Sequence, residues 1–169
     1  KSAVVAVPGT VATATEAAPT PFPVRVTVSA TLPEVSETET VAEMDRLMAW
    51  LPGACPAEPG AAIVHGDFRL DNCIVHPTEP RVIAVLDWEL STIGDPLADF
   101  TYHLMQWYMP VSDSGAGVGT LAGHESDPGM PSLDSYIANY CKRTGRSSIP
   151  DLNVYMAYNF FRIAAILQG

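Results

Sequence analysis

The feature that most constrains this chain is a short polar loop between two apolar segments, followed by a second acidic position. The loop occupies residues 65–72, reads HGDFRLDN, and sets Asp67 and Asn72 five residues apart. Asp87 follows fifteen residues after Asn72, at the end of the apolar run 82–86. Short strands on either side are expected to hold these polar side chains in fixed positions, as a catalytic site requires.

The two loops carry the residue types needed to move a phosphoryl group from a nucleotide to a hydroxyl. Such a reaction needs one carboxylate beside the acceptor oxygen and oxygen ligands that hold Mg²⁺ on the phosphates. Asp67 suits the first task as a positioner or base for the hydroxyl. Asn72 and Asp87 offer the amide and carboxylate oxygens that Mg²⁺ prefers. Arg69 is placed to neutralise charge on the transferring group.

Patterning around the loops predicts a mixture of helices and short strands. Four helices are expected to begin at capping or first-turn residues, namely Ser36 (with Glu39 completing a capping box), Pro96, Ser132 (ending at Gly145) and Pro150. Strands are predicted over 22–28, 61–64, 73–75 and 82–86. Pro23 confines the first strand to a sheet edge. The last one is apolar throughout, so we expect it to be buried on both faces.

Composition limits the partners and the compartment. The chain has 169 residues and a net charge of −10, which disfavours nucleic acid and anionic membranes as partners. The C-terminal apolar segment contains Asp151 and Arg162, so no membrane span is predicted. Three scattered cysteines indicate neither a disulfide framework nor a zinc site, which favours a reducing, intracellular location.

The motif His65-Gly66-Asp67-x4-Asn72 followed by Asp87 resembles the catalytic and metal loops of aminoglycoside- and choline-type phosphotransferases, relatives of the protein kinases. Gly66 stands where protein kinases carry Arg, and Trp88-Glu89 stand where they carry Phe-Gly, which favours the small-molecule branch. A closer resemblance covers about residues 36–169. Its motifs are the loop, DWELSTIGDP at 87–96 and FFRIAAILQG at 160–169, and they resemble the phosphotransferase domain found beside acyl-CoA dehydrogenase-like domains.

This resemblance implies an α+β, protein-kinase-like fold, with the chain forming a mainly helical C-terminal lobe that has short β-strands around the catalytic loop. Asp67 matches the catalytic Asp and Arg69 the basic position of that loop. Asn72 and Asp87 match the metal ligands, which would hold Mg²⁺ and ATP or another nucleoside triphosphate. The implied substrate is a hydroxylated acyl-CoA, phosphorylated on its hydroxyl before a linked dehydrogenase-like domain acts. Mitochondria and peroxisomes are the candidate organelles.

Three further residues are given supporting tasks. His65 is expected to orient the loop from the core rather than to carry a proton. Glu89 is expected to hydrogen-bond behind the metal ligands. Asp95 matches a structural Asp that braces the catalytic loop in the family. A separate cluster suits either core packing, which is favoured, or an acyl-binding surface; it consists of Met105, Trp107, Tyr108 and Met109.

The N-terminal lobe of a kinase, which binds the nucleotide, is not evident in this sequence. Such a fold needs a phosphate-covering loop and a strand Lys, yet Lys1 is the sole Lys among the first 64 residues and no Gly-rich phosphate loop precedes residue 60. We therefore predict an irregular or weakly structured leader over 1–35, a C-lobe over 36–169 truncated at both ends, a missing N-terminal lobe and an inactive isolated chain.

Two other functions remain open at this point. One is a non-catalytic kinase-like binding or scaffolding module, which the missing lobe favours for this chain. The other is a metal-dependent phosphoesterase using the same carboxylates. It is disfavoured because the sequence lacks the additional His or Asp ligands of a two-metal site.

Overall fold

A computed structural model describes residues 2–7, 10–16, 24–29, 37–57, 60–109, 120–121, 123–124 and 126–168. These residues include seven strands, β1 (Ser2–Val7), β2 (Thr10–Glu16), β3 (Val24–Ser29), β4 (Ala62–Val64), β5 (Cys73–Val75), β6 (Val82–Val85) and β7 (Thr92–Gly94). They also include four α-helices, α1 (Glu37–Ala54), α2 (Pro96–Leu104), α3 (Leu133–Thr144) and α4 (Leu152–Gln168). The chain divides into two compact units, Lys1–Pro56 with Leu104–Gly169, and Ala57–His103.

In the first unit, β1, β2 and β3 form an antiparallel sheet in that order, and α1 and α4 contact it. β3 coincides with the predicted edge strand and lies at an edge of this sheet. No regular structure was predicted where β1 and β2 lie. Their many Ala residues have low strand propensity, so the sequence pattern does not indicate these strands. The predicted division at residues 35–36 stays a prediction.

Helices α1 and α4 supply much of this unit's apolar core. In α1, the sequence predicts an apolar stripe of Val41, Met44, Leu47, Met48 and Leu51. Met44, Leu47 and Leu51 are buried, whereas Met48 is 53% exposed. Ser36, the cap residue of the predicted capping box, lies outside the residues that the structure describes. In α4, Phe160 is fully buried. The sequence of α4 is apolar nearly all round, which predicts a buried packing helix, but Ile166 and Leu167 are about half exposed in its last turn.

Helix α3 and the 3-10 turn Met105–Trp107 complete the unit. The caps of α3 are confirmed: the Ser132 side chain accepts from the Ser135 amide at 3.2 Å, and Gly145 ends the helix in a left-handed conformation at φ 71°. Met105 and Met109 are buried, which agrees with core packing. Trp107 stacks on Tyr136 of α3, with ring centroids 4.8 Å apart.

The second unit consists of two antiparallel strand pairs and all but the last residue of α2. β4 pairs with β7, and β5 pairs with β6. The prediction that strand 82–86 is buried on both faces is wrong. Val82 is 51% exposed and Ile83 48% exposed. Consecutive residues of a strand point to opposite faces, so both faces of β6 are accessible.

Candidate active site

The two strand pairs bring the catalytic loop and the second acidic loop together. The loop after β4 ends in a 3-10 turn, Leu70–Asn72, which leads directly into β5. The Leu86 amide donates to the Asn72 carbonyl oxygen at 2.8 Å, which extends the β5–β6 ladder by one bond. Asp87 follows immediately, so its backbone begins beside Asn72. The two predicted metal-binding positions are therefore neighbours through backbone pairing.

His65 ties the same two loops together from inside the unit. It is only 2% exposed, and its Nε2 lies 2.7 Å from the Leu86 carbonyl oxygen. A carbonyl oxygen only accepts, so Nε2 carries the proton, and Nδ1 is then free to accept from the Asp67 amide at 3.2 Å. This neutral tautomer uses both ring nitrogens in structural bonds. The geometry agrees with an orienting role for His65 rather than proton transfer.

Asn72 hydrogen-bonds the carboxylate of Asp67 through its amide nitrogen and leaves its own amide oxygen available. Its Nδ2 donates to the Asp67 carbonyl oxygen at 2.9 Å and to Asp67 Oδ2 at 3.2 Å. Both partners are acceptors, so the amide cannot be turned with Oδ1 toward them without repulsion. Oδ1 therefore points away from Asp67. Asn72 thus orients the predicted catalytic carboxylate and offers a neutral carbonyl oxygen to a metal at the same time.

Asp87 has an unusual backbone conformation for a residue other than glycine. Its φ of 64° and ψ of 53° lie in the left-handed region, which Asp tolerates better than most residues. Such conformations concentrate at functional sites. The following 3-10 turn, Trp88–Leu90, is fixed by the Trp88 indole, which donates to the Val85 carbonyl oxygen at 2.8 Å. Asp87 and Glu89 are both exposed.

The donor set fits a Mg²⁺ ion that is shared with phosphate oxygens. In the described part of the chain, no group of three or more His, Cys, Asp or Glu residues is arranged to hold a metal. A fully protein-built metal cage is therefore not present there. Mg²⁺ commonly takes only one or two protein oxygens and completes its octahedron with water and phosphate. Asn72 Oδ1 and the Asp87 carboxylate are suitable donors of that kind.

Arg69 lies between two carboxylates. Its Nε is 3.9 Å from Asp67 Oδ2 and 3.3 Å from Asp71 Oδ2. The side chains of Arg69 and Asp67 are 28% and 25% exposed, whereas that of Asp71 is 67% exposed. The predicted basic residue is therefore beside the predicted catalytic carboxylate, as a role in charge neutralisation requires.

Asp99, a residue without a predicted role, braces the backbone of the catalytic loop. Asp99, one turn into α2, accepts from the His65 amide at 2.5 Å and from the Gly66 amide at 2.8 Å. Asp95 caps α2 by accepting from the Leu97 amide at 2.9 Å, with Pro96 in the first turn. The bracing task predicted for Asp95 stays a prediction.

Gly66 is required by its backbone conformation and by a close approach. Its φ is +87°, and a Cβ built there would lie 2.5 Å from the Leu90 carbonyl oxygen, inside van der Waals contact. Replacing Gly66 by Ala is therefore expected to lower the free energy of unfolding by about 2–3 kcal/mol and to shift the loop that carries Asp67. Chemical denaturation of the two proteins measures this difference.

Gly94 provides the matched control for that experiment. A Cβ at this position would meet Val64 Cγ2 at an ordinary 3.6 Å. Replacing Gly94 by Ala should change the free energy of unfolding by less than about 1 kcal/mol. Equal effects of the two substitutions would contradict the close packing of the loop against Leu90.

Comparison with known proteins places the chain among phosphotransferases. The model of the phosphotransferase enzyme family matches residues 5–136. Acyl-CoA dehydrogenase family member 10 from Mus musculus is 45% identical over 138 residues, which cover 79% of this chain and 12% of the relative. Acyl-CoA dehydrogenase family member 11 from Gallus gallus is 44% identical over 128 residues, covering 75% of this chain and 16% of the relative. The chain thus spans less than a fifth of the length of these relatives.

Two solved structures share the fold. A protein from Ralstonia eutropha, provisionally assigned as an aminoglycoside phosphotransferase, matches with a TM-score of 0.67 and 50% sequence identity over 79% of this chain and 40% of its own. An aminoglycoside-3'-phosphotransferase of type VIII matches with a TM-score of 0.52 and 21% identity, covering 76% of this chain and 43% of its own. At that lower identity the similarity concerns the fold alone. Among the described residues, no helix has the length and apolar character needed to cross a membrane.

Proposed function

The chain belongs to the phosphotransferase enzyme family, and we propose that it forms the acceptor and metal half of a kinase that phosphorylates a hydroxyl group of a small molecule. The observation that carries this proposal is the linkage of three groups. Asn72 Nδ2 donates to the Asp67 carboxylate, and the Leu86 amide donates to the Asn72 carbonyl oxygen, so the backbone of Asp87 begins next to Asn72. A carboxylate next to two oxygen donors is what in-line phosphoryl transfer requires.

In this proposal Asp67 accepts a hydrogen bond from the acceptor hydroxyl and takes its proton as the hydroxyl oxygen bonds to the terminal phosphorus, while the bond from that phosphorus to the bridging oxygen breaks and the nucleoside diphosphate leaves. Asn72 fixes the Asp67 carboxylate for that task, and His65 fixes the loop backbone from behind. Arg69 neutralises part of the charge on the transferring phosphoryl group. Bound Mg²⁺ supplies electrostatic stabilisation of the phosphates, and Asn72 and Asp87 are the residues that would hold it.

The acceptor we propose is a hydroxyacyl-CoA. The relatives at 44–45% identity are acyl-CoA dehydrogenase family members much longer than this chain. A phosphotransferase domain and a dehydrogenase-like domain in one protein favour a substrate common to both. Phosphorylation of a hydroxyl on an acyl group would convert a poor leaving group into a good one, which prepares the acyl group for a later elimination step. The linked dehydrogenase-like domain is accordingly a proposed partner.

We propose that binding of the nucleotide phosphates depends on side chains contributed by another part of the protein. Kinase-like enzymes use a Lys to reach the nucleotide phosphates. Apart from Lys1, the sequence has only Lys142, which lies in the last turn of α3. We therefore expect this 169-residue chain alone to turn over MgATP far more slowly than the full-length protein.

An acceptor screen tests this function. Release of ADP from MgATP is measured with the full-length protein and four acceptor classes: hydroxyacyl-CoA species that differ in the position of the hydroxyl, aminoglycosides, choline and homoserine. The expected result is turnover with at least one hydroxyacyl-CoA and little with the other classes. Preferential turnover of aminoglycosides, choline or homoserine would refute the acyl-CoA assignment. Absence of turnover with every acceptor, together with tight binding of hydroxyacyl-CoA, would instead support a binding module.

A further inference from the structure

We propose that Asp71 is a positioning residue that turns the Arg69 guanidinium so that its free end faces the transferring phosphoryl group, an inference that rests on the proposed function. Asp71 Oδ2 lies 3.3 Å from Arg69 Nε, closer than Asp67 Oδ2 at 3.9 Å. Of the two carboxylates, the one outside the predicted catalytic set therefore makes the nearer contact. Asp71 carries a negative charge that the phosphoryl-transfer reaction itself does not need.

The contact is made through one specific edge of the guanidinium. In both ion pairs the guanidinium atom is Nε, which is shielded from solvent and makes no hydrogen bond to the described residues, so Asp71 acts on Arg69 through charge rather than through a hydrogen bond. Nη1 and Nη2 together carry four of the five N–H donors of the group. The side chain as a whole is 28% exposed. A guanidinium whose Nε edge lies toward the two carboxylates has its Nη edge on the other side, and that edge can bind two phosphate oxygens in parallel.

Removing the charge of Asp71 should change this orientation. An Arg beside a single carboxylate favours a bidentate pair, in which two parallel N–H donors meet both carboxylate oxygens. Without Asp71, the nearest carboxylate to Arg69 is that of Asp67. Arg69 is then expected to turn its Nη edge onto Asp67. That arrangement removes the guanidinium from the phosphoryl group and covers the oxygen that must face the acceptor hydroxyl.

The expected effect of this change on the enzyme is a loss of rate without a loss of stability. Asp71 is 67% exposed, and ion pairs of such exposed groups contribute little to stability. In the full-length protein, Asp71→Asn is expected to lower kcat about 10-fold, because a misplaced charged group costs rate rather than ground-state binding. The KM for MgATP and the thermal midpoint should change little. Asp71→Glu, which keeps the charge, should restore most of the rate.

The dependence on Arg69 is tested by a double-mutant cycle. Arg69→Ala is expected to lower kcat about 100-fold. Adding Asp71→Asn to Arg69→Ala should have less than about a twofold further effect, because the residue that Asp71 positions is gone. An undiminished 10-fold effect in the Arg69→Ala background would overturn the proposal.

The chain contains a matched control for the ion pair itself. Glu79 Oε2 contacts Arg81 Nε at 2.6 Å, also two residues apart and also exposed, but in the turn between β5 and β6. Glu79→Gln removes an equivalent carboxylate from an equivalent Arg edge, outside the catalytic loop. Its kcat should be unchanged. A loss equal to that of Asp71→Asn would show that removing any such surface charge accounts for the effect, and would overturn the proposal.

A crystal structure of the Asp71→Asn variant gives a readout that does not depend on activity. The expected result is Arg69 with Nη1 and Nη2 within hydrogen-bond distance, about 3 Å, of the two Asp67 carboxylate oxygens. Arg69 remaining in contact through Nε would overturn the proposal. If the wild-type protein phosphorylates none of the acceptors, the proposed function fails. The orientation of Arg69 in this variant then still decides whether Asp71 positions it.

Discussion

Replacing Asp67 by Asn is expected to lower the rate of phosphoryl transfer by the full-length protein about 1,000-fold or more, with little change in folding. A base positioned beside a reacting hydroxyl contributes about 10²- to 10⁴-fold, and the Asn amide can neither accept the proton nor carry the charge. The fold should persist because Asn has the same shape. One of the two bonds from Asn72 ends on the Asp67 backbone carbonyl, which the substitution leaves intact.

The rate is measured as transfer of the terminal phosphoryl group of MgATP to the acceptor, and the fold by thermal denaturation. Asp45→Asn is the matched control, because Asp45 is an exposed carboxylate on α1. The control should keep the wild-type rate. A rate for Asp67→Asn within a factor of ten of the wild type would remove Asp67 from its proposed role.

Replacing Asp99 by Asn is expected to destabilise the Ala57–His103 unit by about 2–4 kcal/mol and to inactivate the full-length enzyme. The Asp99 carboxylate accepts from two consecutive backbone amides, those of His65 and Gly66. An Asn side chain has one acceptor oxygen, so its amide nitrogen would face one of these N–H groups donor to donor. Hydrogen bonds to charged groups contribute about 1.5–3 kcal/mol each, and a part-buried donor left unpaired costs a similar amount.

Asp95→Asn is the control for this effect. Its Oδ1 accepts from the Leu97 amide, and Asn is as good an N-cap as Asp. This substitution should change the free energy of unfolding by less than about 1 kcal/mol. Chemical denaturation distinguishes the two variants. Greater sensitivity at Asp95 than at Asp99 would support the bracing task that the family resemblance assigned to Asp95.

The sequence was most informative where chemistry and spacing coincide. The phosphotransferase relation predicted from His65, Asp67, Asn72 and Asp87 is confirmed by the family match, and the acyl-CoA dehydrogenase-family relation by the relatives. Local signals also sufficed for α3, whose Ser132 and Gly145 caps depend only on neighbouring residues. The individual roles of the site residues stay predictions.

Interactions between distant residues were beyond the reach of pattern analysis. Asp99 lies 34 residues from its partner His65, and only the fold shows that the two meet. One signal was available: Asp99 is an acidic residue in the largely apolar sequence PLADFTYHL of α2, and a part-buried carboxylate needs donors. The burial of strand 82–86 was predicted wrongly for a different reason. An apolar run predicts a strand, but its burial depends on which elements pack over the two faces of the sheet.

The most direct test of the proposed site is a crystal structure of the full-length protein with Mg²⁺ and a non-hydrolysable ATP analogue. We expect a Mg²⁺ ion bound to the Asp87 carboxylate and to Asn72 Oδ1 at about 2.1 Å. We also expect the terminal phosphate to face the Asp67 carboxylate across a gap that admits a hydroxyl. Nucleotide phosphates bound away from these three residues, or Mg²⁺ bound without Asp87 and Asn72, would contradict it.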